Sequence, residues 1–247
     1  MDIFNLFSPH FVTFTLSKPG RRTKNEDYLQ FKKIKNERCW VVADGLGGHL
    51  GGDIASQIAV NSIMESFLAD HKVSVQCLEK HIQIAQQEIL KYNDLNSCAI
   101  HTTVVVLLLD TNSFIWGYVG DSRLYVFRSG KIVIQTEDHS LSQALVNIGE
   151  IKLDELRHHE DRNKLLRALG MKGDLRPSLV NERVPWQRGD VFLLCTDGFW
   201  ENVTEEELER ELSLSSSPNQ WLSSMEKILL GRAQSNQDNY TAVAVFV

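Results

Sequence analysis

Apolar positions along this chain change their period several times, and each change marks an element. Val12, Phe14 and Leu16 alternate with Thr13 and Thr15, which predicts a half-buried strand. Strands follow at 28–34 and 38–43; the second carries the run Trp40-Val41-Val42-Ala43, so a central position is expected. From Asp53 the spacing turns helical. Val60, Met64, Phe67 and Leu68 share one face, and Leu78, Ile82, Ala85 and Ile89 share another, predicting two long helices. Strands return at 102–109, 114–119 and 124–127, and Ser129-Gly130 supplies a hairpin turn into a strand at 132–136. Segment 141–169 is polar, helical in its spacing and interrupted by Gly149; it reads as an excursion from the sheet core. Further strands are expected at 179–184, 191–195 and 241–247. Between them, Thr204 and Glu207 form a capping box, and Ser217-Pro218 opens a helix carrying Trp221, Met225, Ile228 and Leu229. Strands arrive in runs and helices in pairs. That grouping predicts an α+β layered sandwich, antiparallel sheets with helices packed outside, and not a doubly wound parallel sheet.

Composition narrows the class. The chain has 247 residues, 43% of them apolar and 23% charged, which is ordinary for a globular protein. A net charge of −6 without a basic stripe argues against nucleic acid as a partner. Cys39, Cys77, Cys98 and Cys195 show no metal-type spacing, so a reducing, cytoplasmic setting is expected. The apolar N-terminus lacks the basic region of a signal peptide, and the longest apolar run, at 104–109, has the length of a strand. No membrane association is expected.

The candidate chemistry lies at strand ends. Asp44-Gly45 follows the Trp40–Ala43 run, Asp197-Gly198 follows another apolar strand, and Gly120-Asp121 follows a third. Glu26-Asp27 and Asp238-Asn239 stand just before strands. Asp, Asn and Gly are common turn residues, and each site alone could be only that. If the strands are neighbours, however, the carboxylates converge and raise one another's pKa values unless a cation intervenes. Hard oxygen donors without a His/Cys cluster suit Mg²⁺ or Mn²⁺ better than Zn²⁺. The glycine loop 45–52 starts as G-x-G, but Leu50 stands where the third glycine of a dinucleotide fingerprint belongs. No Gly-Lys-Ser/Thr occurs either, so a nucleotide cradle is not expected.

Seven motifs in order carry a family resemblance: G-x-R-x-x-N-E-D (Gly20 to Asp27), V-A-D-G-x-G-G-H (Val42 to His49), G-D-S-R-x-Y (Gly120 to Tyr125), T-x-D-H-S (Thr136 to Ser140), R-A-L-G (Arg167 to Gly170), C-T-D-G-F-W (Cys195 to Trp200) and D-N-x-T (Asp238 to Thr241). The set resembles the metal-dependent, type 2C (PPM) serine/threonine protein phosphatases, and the length is similar to their compact bacterial members. The resemblance implies one catalytic domain over 1–247, built as a four-layer αββα sandwich with a binuclear Mn²⁺/Mg²⁺ centre at one end and a flap at about 141–169. It implies that Asp44 bridges both metals and that the Gly45 carbonyl contacts one. Asp197 and Asp238 complete the first metal's ligands, Glu26 serves the second, and Asp27 orients a water. Asp121, with Asp197, matches a third-metal site known in bacterial relatives; Asp138 is a weaker candidate for it.

Arg22 matches the phosphate-binding arginine, whose planar fork suits phosphate oxygens. Arg21 and Lys24 are expected as solvated charges. His49 is a candidate general acid, His139 is expected to close a turn, and His158 and His159 are expected in solvent. The implied reaction is hydrolysis of phosphoserine and phosphothreonine by in-line attack of a metal-bridging water. The implied partners are phosphorylated proteins and a cognate kinase, with the phosphatase itself a monomer. A non-catalytic regulator of the same fold, or a phosphatase of small metabolites, are the rival readings. One departure is His101-Thr102-Thr103, where the family often has Gly-Thr-Thr.

Overall fold

In the computed structural model, which describes residues 11–46, 51–232 and 237–247, the alternating N-terminal segment is β1 (Val12–Lys18). It is followed by β2 (Asp27–Ile34), β3 (Glu37–Leu46), α1 (Gly52–Ala69) and α2 (Val75–Asn96). Next come β4 (His101–Thr102), β5 (Val104–Leu109), β6 (Ser113–Val119), β7 (Arg123–Arg128) and β8 (Lys131–Gln135). After α3 (Leu141–Asn147) and a 3-10 turn at Leu153–His158 stand two short strands, β9 (Ser178–Leu179) and β10 (Val184–Pro185). The chain ends with β11 (Val191–Cys195), the single turn α4 (Asp197–Trp200), α5 (Glu205–Ser213), α6 (Pro218–Arg232) and β12 (Tyr240–Phe246).

The strands form two sheets, one ordered β1-β12-β11-β7-β8 and the other β10-β6-β5-β3-β2, with β4 added to β3 and β9 to β6. Every pairing among the described strands is antiparallel. Three apolar layers separate four layers of structure. Successive side chains of a strand point to opposite faces, so Val41 and Ala43 of β3 pack under α1 and α2 while Trp40 and Val42 enter the space between the sheets. On the far side, Leu193 and Cys195 pack against Trp221 and Met225 of α6. The fully apolar run in β3 is thus explained by burial on both faces, as its sequence predicts. Each such aliphatic side chain contributes roughly 1.5–3 kcal/mol of transfer free energy.

Several local predictions meet their geometry. Ser129 and Gly130 both have positive φ, 52° and 75°, as a two-residue hairpin of matching twist requires. Thr204 Oγ1 accepts from Glu207 N and the Glu207 carboxylate accepts from Thr204 N, closing the capping box. Four expectations need correction. Leu68 is exposed, because the buried face of α1 runs through Val60, Met64 and Phe67 and leaves it on the rim. The strand expected at 179–184 is two pieces: four residues, 180–183, stand opposite only Ile115 and Trp116 of β6, so the ladder breaks into a wide bulge. The strand at 102–109 splits at Thr103, whose backbone N–H turns to the Asp44 carbonyl. Segment 141–169 is helical only in α3 and the 3-10 turn; Gly149, at φ 79°, follows the end of α3, and the remainder is loop.

Candidate metal centre

The site is built where strands of both sheets end. β3 leaves the core at Asp44, and the Thr102-Thr103 pair clasps that peptide. Asp44 N donates to Thr103 Oγ1 at 3.0 Å, Thr103 N donates to Asp44 O at 2.8 Å, and Thr102 Oγ1 donates to the same oxygen at 2.7 Å. Thr103 Oγ1 also lies 2.7 Å from Ser122 Oγ, next to Asp121. The retained threonine pair therefore ties two of the candidate carboxylates together, whatever residue 101 is. Asp27 stands directly opposite Asp44 in the β2–β3 ladder, where like charges repel. Its Oδ2 accepts from Thr196 Oγ1 at 2.9 Å, one residue before Asp197. Asn239 accepts from Glu26 N and donates to the carbonyls of Pro19 and Lys24, so it staples the 19–26 loop beside Asp238. Gly198 packs on the Asn239 carbonyl so closely that a Cβ there would collide with it.

Glu26, Asp44, Gly45, Asp121, Asp197 and Asp238 line one pocket of about 310 Å³. Asp27 is buried behind it. The structure thus brings these six residues into a single depression. Burial pushes the Asp44 carboxyl well above the usual range, and Asp27, Asp197 and Asp121 push it further. Asp121 is raised well above its ordinary value by burial and by Asp197, and Asp197 is raised by burial and by Asp238. Asp27 is pushed up to about 8, chiefly by burial, then by Asp197. Glu26 is raised by burial and by Asp53.

Burial and mutual repulsion outweigh the nearby cations at each of these groups, and among the described residues Asp27 Oδ1 is buried without a hydrogen-bond partner. Hard oxygens gathered around one pocket, with one orphaned acceptor behind it, fit Mg²⁺ or Mn²⁺. Among the described residues, no three His, Cys, Asp or Glu side chains are drawn into a tight cluster; the carboxylates ring the pocket instead.

Around this ring the other candidates fall into place. Arg22 is exposed at the mouth, its Nη2 2.8 Å from Asp238 Oδ2. Arg21 is exposed, while Lys24, also exposed, pairs with Asp53 at 2.6 Å. Asp138 is not in the pocket: both its oxygens are taken by Arg123, at 2.8 and 2.7 Å, in a buried pair. The Arg123 guanidinium lies 3.4 Å over the Trp200 ring, and Trp200 Nε1 donates to Asp121 O at 2.9 Å. Arg123 and Trp200 stand in the motifs, yet their partnership depends on the β7–α4 packing and is invisible in one dimension. His139 stacks on Tyr118 and accepts from Gly120 N through Nδ1, closing the turn that carries Asp121. His158 is exposed and His159 is half-buried, accepting from Asp161 N. His49, with Gly47 and Gly48, lies outside the described residues.

A second pocket of about 380 Å³ adjoins the first, walled by Arg157, His158, Arg162, Glu201 and Asn202. Glu201 is pushed up to about 7, mainly by burial and then by Asp197, and it accepts from Arg162 Nε at 2.9 Å. Sequence spacing had no signal for Glu201, which reaches this pocket because it lies one helical turn after Asp197.

A sandwich of two antiparallel sheets between helix pairs, with a carboxylate-ringed pocket where the sheets meet, is the architecture of a metal-dependent phosphatase. The family model described as Protein phosphatase 2C matches residues 17–235, and the chain belongs to that family. It is 34% identical over 226 residues to the serine/threonine phosphatase stp of Listeria monocytogenes, covering 87% of this chain and 86% of that protein. Its fold matches Stp1, a serine/threonine phosphatase from Staphylococcus aureus, with a TM-score of 0.86 at 26% identity, over 97% of this chain and 96% of that one. It also matches the catalytic domain of the serine/threonine phosphatase PstP in complex with two manganese ions, with a TM-score of 0.81 at 25% identity, over 96% and 97% of the two chains.

Proposed function

We propose that this chain hydrolyses phosphoserine and phosphothreonine in proteins, using the pocket bounded by Asp44, Asp121, Asp197 and Asp238. One observation carries the reading: carboxylates from the ends of both sheets share one pocket, with an arginine fork at its mouth. Asp44 and the Gly45 carbonyl, with Asp197 and Asp238, would hold one Mn²⁺ or Mg²⁺. Asp44 and Glu26 would hold a second, and Asp121 with Asp197 offers a third position. When bound, such ions would neutralise phosphate charge and lower the pKa of a water toward neutrality, the chemistry that in-line hydrolysis requires.

The chain's own residues do the rest. Arg22, exposed and paired only at the surface with Asp238, exchanges that weak contact for two phosphate oxygens. Thr196 holds Asp27 Oδ2, leaving Oδ1 free to accept a proton-bearing partner and orient it. Cys39 and Cys195 are buried in apolar layers away from the pocket, and burial pushes both thiols up, so neither serves as a nucleophile. The proposal includes one catalytic domain with 141–169 as its flap, working as a cytoplasmic monomer on the products of a serine/threonine kinase. Four free cysteines suit that compartment. No described helix is long and apolar enough to cross a membrane.

The test is phosphate release from a phosphopeptide panel with Mn²⁺, against a chelator control and a panel of small phosphometabolites. Mn²⁺-dependent release from phosphopeptides is expected. Release from metabolites alone would replace the protein substrate with a small one, and no release from either would leave a non-catalytic binder.

A further inference from the structure

The two pockets beside the carboxylates share four lining residues: Arg22, Asp197, Asp238 and Asn163. Three are charged and already belong to the proposed machinery. Asn163 is the neutral member, and it comes from the 141–169 segment. It is exposed, and the hydrogen bonds that fix its loop are made by its neighbours. Arg162 Nε donates to Glu201 Oε1 at 2.9 Å, and Lys164 pairs with Asp161 at 2.6 Å. Leu141 N donates to Lys164 O at 2.8 Å, and Leu166 N donates to His139 O at 2.7 Å. The loop is therefore tied on both sides of Asn163, once to the segment that carries Asp197, and Asn163 lines both pockets where they meet.

A phosphate ester seated among the carboxylates must carry the rest of its substrate outward, and the second pocket lies across that saddle. Its wall of Arg157, His158, Arg162, Glu201 and Asn202 is polar and holds both signs of charge. A charged residue on the saddle would pair with Arg22 or repel the carboxylates. A carboxamide does neither, and it offers both an N–H donor and a carbonyl acceptor, matching the C=O and N–H of a peptide unit. We propose that Asn163 binds the polypeptide backbone next to the phosphorylated residue, and so makes this site favour phosphopeptides over small phosphate esters. This rests on the phosphatase reading above and names how its substrate class is recognised.

The test compares the wild type with Asn163→Ala and Asn163→Gln in Mn²⁺, using a phosphopeptide and an aryl phosphate. In Asn163→Ala, kcat/KM for the phosphopeptide should fall about three- to ten-fold further than for the aryl phosphate, the size of one lost hydrogen bond. The extra loss should lie in KM, and Asn163→Gln should recover part of it. A second readout needs no turnover: fluorescence anisotropy with a peptide carrying a non-hydrolysable phosphonate in place of the phosphoserine. Its Kd should rise by a similar factor in Asn163→Ala, with the melting temperature unchanged because the side chain is exposed. Equal losses for both substrates, or an unchanged Kd, would overturn the inference. If the wild type hydrolyses neither substrate but Asn163→Ala weakens phosphonate-peptide binding, the catalytic reading fails and the role of Asn163 stands.

Discussion

Asp44 concentrates the site's electrostatic conflict. Its peptide is clasped by three hydrogen bonds from Thr102 and Thr103, so its carboxyl stays in the pocket although burial and three neighbouring carboxylates oppose its charge. Conversion to an amide removes that conflict and also removes a metal donor. Asp44→Asn is therefore expected to abolish turnover and to lose the rise in melting temperature that Mn²⁺ gives the wild type. In chelator the variant should melt no lower than the wild type. Differential scanning fluorimetry with and without Mn²⁺ checks this; an undiminished Mn²⁺ shift would remove Asp44 from the ligand set. At this scale the sequence was highly legible for the carboxylates, because each stands in an ordered motif. It was silent on Asp27's burial and on Asn163, since neither burial nor a saddle between pockets leaves a spacing pattern.

At the scale of elements, α5 is held by its first turn. Thr204 and Glu207 close the capping box, and Arg232 of α6 reaches the same Glu207 at 2.7 and 2.6 Å. Thr204→Ala should cost about 1 kcal/mol, read as a lower urea midpoint with an unchanged slope; a loss under a few tenths would mean that Arg232 and packing hold the helix start without the cap. The turn after β11 is tighter. Gly198 has no room for a Cβ against the Asn239 carbonyl, so Gly198→Ala should displace Asp197 from Asp238. Mn²⁺ affinity measured by calorimetry should then weaken at least ten-fold, and an unaltered affinity would refute this account of the glycine. Caps, the Ser129-Gly130 hairpin and the long strands were legible because they depend on local chemistry. The 180–183 bulge and the loops of 141–169 were not, because their shape is set by β6 and by ion pairs to distant glutamates.

Over the whole molecule, Glu26, Asp27 and Asp44 come from one sheet and Asp197 and Asp238 from the other, with Asp121 on the connection between them. Cations held there would cross-link the sheets, and at a hundred times its Kd a ligand stabilises the fold by about 2.7 kcal/mol. Stability should also depend on pH in a defined window. Asp27 keeps its proton up to about pH 8 in the fold, against an ordinary value of 3.8. Between those values the fold holds a proton that the unfolded chain has released, so stability falls as pH rises. Glu201, pushed up to about 7, acts in the same sense. His81 and His139, held down at about 4 mainly by burial, and His101, also lowered by burial, act oppositely, an effect that fades above their ordinary value of 6.5. From pH 6.5 to 8 the raised carboxylates come to dominate. The urea midpoint in chelator should fall across that interval, and Asp27→Asn or saturating Mn²⁺ should flatten the slope. A midpoint that rises there would contradict the burial of Asp27.

The sequence by itself determined the layered α+β architecture, the family, and the six residues expected around the metals. Periodicity reports which face of an element is apolar, and ordered motifs report which chemistry a strand end carries. Only the tertiary structure decided how those residues act on one another. It set Asp27 against Asp44, spent Asp138 on Arg123 instead of the pocket, turned Trp200 toward Asp121, and laid Asn163 across the saddle. Each of these pairs is distant along the chain or lies in a loop, and its energy comes from burial and contact, which exist only once the sheets have closed on each other.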